Sequence, residues 1–200
     1  IPVRDSLQRF AEATGTALRP YQLDIACAIV DSVLAARGLT FCVLMARQAG
    51  KNEVSAVVEA FLLERYAASG GQIVKASPTY VPQSVTSRLR LKGRLQGHAD
   101  VKSRAGYIVE LGAARCLFLS ASPTANVVGA TASLLLECDE AQSVDADKWL
   151  RDFAPMAAST GATTVFWGTA WTSQTLLARM RRELEAEERR DGVGRVFVVD

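Results

Sequence analysis

The fold is decided by the stretch Phe41-Cys42-Val43-Leu44-Met45-Ala46-Arg47-Gln48-Ala49-Gly50-Lys51-Asn52-Glu53. An apolar run is followed by a short loop, by Gly-Lys and by a helical pattern. This order predicts a strand, a phosphate-binding loop and a helix whose N-terminus faces an anion. Lys51 would then reach the terminal phosphates. The residues expected to surround the phosphates are Gln48, Ala49, Gly50, Lys51 and Asn52.

The loop departs at two positions from the common pattern G-x-x-x-x-G-K-[ST]. Met45 stands where the first glycine would fall, and Asn52 replaces the Ser or Thr that binds Mg²⁺. The amide oxygen of Asn52 is a weaker ligand for a hard cation. Taken alone, the stretch is therefore as compatible with a strand end, a turn and a solvated lysine as with a phosphate site.

A second apolar run ends in two adjacent acids, in the stretch Ser133-Leu134-Leu135-Leu136-Glu137-Cys138-Asp139-Glu140-Ala141. Such a run indicates a strand buried on both faces of a parallel sheet, and ligands bind at the carboxyl ends of these strands. We expect Asp139 to hold Mg²⁺ through water and Glu140 to orient and deprotonate the attacking water. The alternative is an ordinary acidic turn, but the upstream Gly50-Lys51 favours the catalytic interpretation.

Composition sets limits on the function. The chain has 200 residues, 49% of them hydrophobic, which suffices for one sizeable core. A formal charge of +2 does not by itself argue for nucleic acid. The four cysteines are isolated and one histidine is present, which argues against zinc and excludes a His-dependent triad. We expect a cytoplasmic chain with no signal peptide and no membrane contact, because no apolar run approaches the length of a span.

The order of the predicted elements indicates an α/β fold with a mostly parallel central sheet flanked by helices. Residues 1–20 form an N-terminal extension of a single domain that covers residues 1–200. Helices are expected at about 21–37, 51–67, from Pro82 through 94, 145–156 and 173–190. Strands are expected at about 40–46, 72–77, 133–138, 163–171 and 196–199, with a hairpin at 107–111 and 115–121.

Three further features are candidates for binding. Tyr21 and Gln22 precede the first strand, where an aromatic ring can stack on adenine and an amide can recognise its edge; packing and solvation explain them equally well. Thr169 ends a strand, as do residues that sense the γ-phosphate in many ATPases. The helix predicted from Pro82 is the most basic part of the chain and is a candidate contact for DNA phosphates, although a solvated face is as plausible. Its basic residues are Arg88, Arg90, Lys92 and Arg94.

Four segments together resemble, in order and spacing, the motor domain of the large terminase subunits of tailed bacteriophages. They are Arg47–Asn52, Ser77–Tyr80, Leu135–Ala141 and Gly168–Trp171. The phosphate loop of that family has the form Arg-Gln-x-Gly-Lys, often followed by Asn or Ser, which accounts for both departures noted above. The resemblance runs from about Pro20 to the end of the chain.

The resemblance implies a RecA-like P-loop ATPase with an additional strand, which uses ATP and Mg²⁺ to drive double-stranded DNA into a procapsid. Arg47 would lie near the γ-phosphate, Lys51 would hold the β- and γ-phosphates, and Glu140 would activate water. Asp139, with Asn52, would bind the metal. By the same resemblance, Thr169 would couple nucleotide state to movement, and Tyr21 with Gln22 would occupy the adenine position.

The implied partners are a homo-oligomeric ring on a capsid portal and the small terminase subunit, in the cytoplasm of the infected host and transiently on the procapsid. The RNase H-like nuclease domain of the family is expected to be absent from this chain. A neighbouring subunit's arginine finger has no counterpart in the small-residue loop 122–132. The candidates for it are Arg88, Arg90, Arg94 and Arg104.

Two other functions remain open on the sequence. Asp-Glu-Ala and the Tyr21-Gln22 element also occur in helicase-type DNA-dependent ATPases, although these need a second motor lobe. The departures at Met45 and Asn52 would also suit a non-enzymatic nucleic-acid-binding domain with a degenerate phosphate loop.

Overall fold

The protein folds around a single eight-stranded sheet, and the computed structural model describes residues 2–127 and 129–200. The strands are β1 Thr40–Met45, β2 Gly71–Ser77, β3 Val101–Arg104, β4 Ile108–Leu111, β5 Ala114–Ser120, β6 Leu135–Cys138, β7 Thr163–Gly168 and β8 Val196–Val199. Their spatial order is β3-β4-β5-β2-β6-β7-β1-β8. All pairs from β5 to β8 are parallel, whereas β3 and β4 are added antiparallel at one edge.

Helices cover both faces of this sheet. They are α1 Val3–Ala13, α2 Pro20–Leu34, α3 Lys51–Tyr66, α4 Val85–Arg94, α5 Ala146–Lys148, α6 Ala154–Ala158 and α7 Leu176–Asp191. One core packs α1 to α4 on the sheet, and the other packs α5 to α7 on the opposite face. Because a parallel strand in such a layer has no solvent face, its sequence is mostly apolar.

β1 illustrates this double burial. Phe41, Val43 and Met45 belong to the core under α1 to α4, and the alternate residues Cys42 and Leu44 belong to the other core. The side-chain alternation of a strand places each set on its own face. The continuous apolar run in the sequence is thereby explained, and the predicted mostly parallel α/β sheet is confirmed.

The topology places the two predicted site segments at the same edge of the sheet. β7 lies between β1, which leads into the phosphate loop, and β6, which leads into Asp139 and Glu140. This intervening strand confirms the additional-strand arrangement expected from the sequence. Since β1, β6 and β7 are mutually parallel, their carboxyl ends meet, and Thr169 follows the third of them.

Three predicted elements need correction. The segment between the predicted basic helix and the predicted hairpin contains a short strand, β3, which pairs with β4 and extends that hairpin; it is polar because it lies exposed at the sheet edge. The helix expected from Pro82 begins at Val85, after a helical turn at Tyr80–Ser84 in which Val81 is extended. The helix expected over 145–156 is divided into α5, a wider turn at Trp149–Phe153, and α6.

Residues of the N-terminal extension contribute to the core. Leu7 and Ala11 of α1 are fully buried and belong to the core with α2 and α3, so this segment is an integral layer of the fold. The loop 122–132 includes Val128, which lies outside the described residues. Within the described ranges, none of the helices combines the length and the apolar character that crossing a membrane requires.

Candidate functional site

The loop after β1 turns sharply into α3. Gln48 and Gly50 have positive φ angles of 66° and 87°, and Gly50 is the residue that caps the helix. A side chain at position 50 would collide with the amide nitrogen of Gln22, so a glycine is required there on two counts. The turn exposes the first N–H groups of α3, which together with the helix dipole favour an anion.

Lys51 meets both predicted acids at the end of β6. Its ammonium group pairs with the carboxylate of Glu140, and its Nζ atom lies 3.4 Å from Oδ1 of Asp139. Asp139 also accepts a hydrogen bond of 3.0 Å from the N–H of Glu140. Lys51 is only 9% exposed and Asp139 5%, so these charges satisfy one another away from bulk water. A phosphate that enters the site must compete with the two carboxylates for Lys51.

A pocket of about 300 Å³ opens over this contact. It is lined by Ala46, Arg47, Gln48, Gly50, Lys51, Asn52, Glu53, Arg90, Glu140 and Thr169. The loop residues Gln48, Gly50, Lys51 and Asn52 therefore share one cavity with Glu140 and Thr169, whereas Ala49, which was also expected at the phosphates, does not line it. Asp139 does not line the pocket but lies behind Lys51. Arg90, predicted as a DNA contact, reaches the pocket from α4.

Glu140 is held by its backbone as well as by its side chain. Its φ of 48° and ψ of 47° lie in the left-handed region, which is uncommon for residues with a side chain. One carboxylate oxygen accepts a hydrogen bond from the ammonium group of Lys51, and the other accepts a 2.5 Å hydrogen bond from the Nε2 of Gln142. Such fixed conformations are found at functional sites, where a side chain must point in one direction.

Gln142 is a site residue that the sequence analysis missed. Besides its bond to Glu140, its Oε1 accepts a 3.2 Å hydrogen bond from the N–H of Thr169. A side chain at Gly168 would overlap that same oxygen, so the glycine makes the approach possible. Gln142 thus joins the end of β6 to the end of β7. Its position two residues after Glu140 was the only available signal.

Tyr21 and Gln22 contact the phosphate loop itself. The Tyr21 hydroxyl and the Gln22 Nε2 each donate a 3.0 Å hydrogen bond to the carbonyl of Ala49. The Oε1 of Gln22 accepts a 2.8 Å bond from the N–H of Arg19. Both ends of this buried amide are therefore engaged, and contact with adenine through it would require these bonds to break. The adenine assignment stays a prediction.

A second polar cluster is fully enclosed behind the site. Lys75 on β2 donates to Glu59 of α3 at 2.8 Å and to Ser55 at 2.6 Å, and the Ser55 hydroxyl donates to Glu137 at 2.8 Å. The indole N–H of Trp167 donates to Glu137 at 2.8 Å. These side chains bind α3 to β2, β6 and β7, the elements that carry the loop and the acids.

Electrostatics in this cluster follow from burial. Removal from water raises the pKa of Glu137 well above its ordinary value, although Lys75 opposes the shift. Burial works against the charge of Lys75, but Glu59 and then Glu137 outweigh it and raise the pKa of the ammonium group. Lys75 is therefore charged at all ordinary pH values, and its charge is balanced by its carboxylate neighbours.

Two of the basic side chains on α4 that were predicted to contact DNA form ion pairs within the protein. Arg90 Nε lies 2.9 Å from one oxygen of Glu53, and Arg94 pairs with the other oxygen. Arg88 has a buried Nε without a hydrogen-bond partner in the described part of the chain. Arg90 and Arg94 are thus tied to α3, which argues against an open, evenly basic surface on this helix.

The donor set suits one kind of metal. The described ranges hold no cluster of three or more His, Cys, Asp or Glu side chains that would bind a metal by themselves. Mg²⁺ in nucleotide sites needs fewer protein ligands, because phosphates and waters supply the rest. The carboxylate of Asp139 and the amide oxygen of Asn52 are hard oxygen donors of this type, so the residues present fit Mg²⁺ delivered with a nucleotide.

No protein-family model matches the chain, and no curated protein matches it in sequence. Several solved structures match its fold. The large terminase of bacteriophage HK97 superposes with a TM-score of 0.71 at 17% identity, over 100% of this chain and 44% of that one. The large terminase ATPase domain of Thermus phage P74-26 gives a TM-score of 0.59 at 16% identity, over 92% of both chains.

A third match is the large terminase of a thermophilic bacteriophage in complex with ADP, with a TM-score of 0.66 and 12% identity over 90% of this chain and 44% of that one. At these identities the likeness shows the fold alone, which the chain shares with these phage large terminase structures. The chain spans 44% of the length of the HK97 protein and of the ADP-bound protein.

Proposed function

We propose that this chain is the ATPase domain of a phage large terminase subunit, which hydrolyses ATP to move double-stranded DNA into a procapsid. The observation that carries the proposal is the meeting of Lys51 with Asp139 and Glu140 under the phosphate loop. A lysine, a metal-binding acid and a second acid are the parts that phosphoryl transfer needs for positioning and for charge neutralisation. The shared fold supports the same assignment.

Each side chain has a role in this proposal. The N–H groups of α3 and Lys51 bind the phosphates, and Arg47, exposed in the loop, approaches the γ-phosphate. Asp139 and Asn52 hold Mg²⁺, which neutralises charge on the phosphates when bound. Glu140 accepts a proton from the attacking water once the phosphates have drawn Lys51 away from it. Thr169 relays the change to the end of β7.

The remaining parts of the proposal follow from the same family. The domain acts in a homo-oligomeric ring on a capsid portal, together with a small terminase subunit, in the host cytoplasm and on the procapsid. DNA contacts fall to the residues of α4 that are not paired with Glu53, Lys92 among them. Tyr21 and Gln22 border the adenine, and nuclease activity is not expected from these residues.

Calorimetric titration of the chain with ATP and Mg²⁺ tests the proposal. We expect wild type to bind, Lys51→Ala to lose binding, and Lys102→Ala to bind as wild type does, because Lys102 is exposed on β3 away from the pocket. Equal binding by Lys51→Ala and wild type would refute the assigned site. DNA binding without any nucleotide binding would instead support a non-enzymatic domain.

A further inference from the structure

Arg90 differs from the other basic residues of α4 because its side chain borders the nucleotide pocket. The same cavity is lined by Lys51, Glu140 and Thr169. Arg94, one turn further along α4, lines a different groove between α1, α3 and the end of α4. The two arginines therefore share a helix face but reach two different cavities.

Glu53 fixes the direction of Arg90. This glutamate lies in the first turn of α3, directly after Asn52, and each of its two oxygens pairs with one arginine. The Nε atom of Arg90 lies 2.9 Å from Oε1 of Glu53. The terminal N–H groups of a planar guanidinium can bind a phosphate as a pair.

The Glu53 contact is weak enough to be exchanged. The side chains of Arg90 and Glu53 are 28% and 35% exposed, so solvent screens their attraction. Ion pairs of this kind contribute little to stability. A phosphate group carries more charge than a carboxylate and would compete effectively for the guanidinium.

The charges that line the pocket give Arg90 a role in binding a phosphate. Its lining contains three cations, Arg47, Lys51 and Arg90, and two anions, Glu53 and Glu140. Lys51 is already shared between two carboxylates. A triphosphate brings one more phosphate than a diphosphate to the end of the pocket where Lys51 and Glu140 lie, and an additional cation stabilises that phosphate.

We infer that Arg90 is a further phosphate-binding residue of this pocket, which exchanges its ion pair with Glu53 for a phosphate, and that it favours a nucleoside triphosphate over a diphosphate. The inference rests on the proposed function. It also gives α4 a direct contact with the nucleotide, so that the helix bearing Lys92 changes its attachment to α3 when Arg90 leaves Glu53 for a phosphate.

Equilibrium titrations with ADP and with the non-hydrolysable triphosphate AMP-PNP, both with Mg²⁺, test this role. Arg90→Ala is expected to weaken AMP-PNP binding about tenfold and ADP binding by less, since it removes charge-assisted hydrogen bonds to the terminal phosphate. Arg94→Ala is the matched control: it breaks the other half of the Glu53 pair and should keep the wild-type ratio of the two affinities. Arg90→Lys keeps the charge without the planar fork and should fall between.

An unchanged affinity ratio in Arg90→Ala would overturn the inference, and so would an equal change of the ratio in Arg94→Ala. If thermal unfolding shows that Arg90→Ala is not folded, the ratio measured for Arg90→Lys decides in the same way. Failure of wild type to bind either nucleotide would refute the proposed function itself, and this inference with it.

Discussion

The Nε2 atom of Gln142 donates a 2.5 Å hydrogen bond to Oε2 of Glu140. The other end of the same amide accepts from the N–H of Thr169. One side chain therefore connects the proposed water-activating carboxylate with the strand end proposed to sense the nucleotide. Glu140 cannot turn away from Lys51 without a response from Gln142, which gives Thr169 a physical route to follow the state of the site.

Gln142→Met keeps the length of the side chain and removes both hydrogen bonds. Because Glu140 loses the group that orients it, we expect kcat for ATP hydrolysis to fall about tenfold to a hundredfold. KM should change little, since Gln142 does not line the nucleotide pocket. Steady-state kinetics measure kcat and KM separately. Gln96→Met, at an exposed position just after α4, is the control. A kcat equal to that of wild type would show that Glu140 needs no such support.

Gln22→Ala removes the hydrogen bond from α2 to the carbonyl of Ala49 in the phosphate loop, and also the bond from the N–H of Arg19. If Gln22 acts by bracing the carbonyl of Ala49, ATP and GTP binding should weaken by the same factor. Recognition of adenine by the amide predicts instead a selective loss of ATP binding. Titration of both nucleotides separates the two roles, and Tyr21→Phe, which removes the second bond to Ala49, should repeat the non-selective pattern.

Lys75→Met leaves Glu59 in the closed cluster without its cation. Loss of one partner of a buried ion pair costs about 3–5 kcal/mol, so we expect the free energy of unfolding to fall by that order. The double variant Lys75→Met with Glu59→Gln carries no orphaned charge on α3 and should recover part of the loss. Urea unfolding of the single and double variants measures the coupling. Additive losses would mean that the two side chains do not support each other.

The burial of the cysteines predicts how readily each thiol reacts at a given pH. Burial raises the pKa of Cys42 to about 12, and it raises the pKa values of the fully enclosed Cys116 and Cys138 well above the ordinary range. A higher pKa means less thiolate, so at pH 8 the Cys42 thiolate is about one part in ten thousand. Cys27 is part-exposed, with a pKa raised by burial to a smaller extent.

Ellman's reagent at pH 8 should therefore modify at most one thiol per native chain and four in urea. Cys27→Ser should abolish the native reaction. Rapid modification of two or more thiols in the native protein would contradict the placement of Cys42, Cys116 and Cys138 in the two cores.

The sequence predicted well what is encoded locally. The apolar runs that end at Met45 and Cys138 belong to strands buried on both faces, which accounts for their mostly apolar sequences; Glu137 is a buried exception. The phosphate loop and the two acids follow those strands directly, so their convergence follows from parallel pairing. Gly50 was recognisable from the Gly-Lys pair after an apolar run, and the structure gives it a positive φ at the turn into α3.

The remaining features depend on contacts between distant segments. Arg90 appeared as one of four basic residues on a helix, and only the packing of α4 against α3 brings it to the pocket. Gln142 follows a strand whose neighbour, β7, is fixed by the topology and not by any local pattern. β3 lies at the sheet edge and has a polar sequence, so no alternation of apolar and polar residues indicated a strand there. Its pairing with β4 is visible only in the structure.

Glu140 is proposed to activate water for ATP hydrolysis at this site. The most direct test is Mg²⁺-dependent phosphate release by wild type and by Glu140→Gln, measured at several protein concentrations with and without duplex DNA, together with ATP binding by both. We predict that wild type hydrolyses ATP and that Glu140→Gln binds ATP without hydrolysing it. Equal hydrolysis by the two proteins, or no binding of ATP by wild type, would contradict the account.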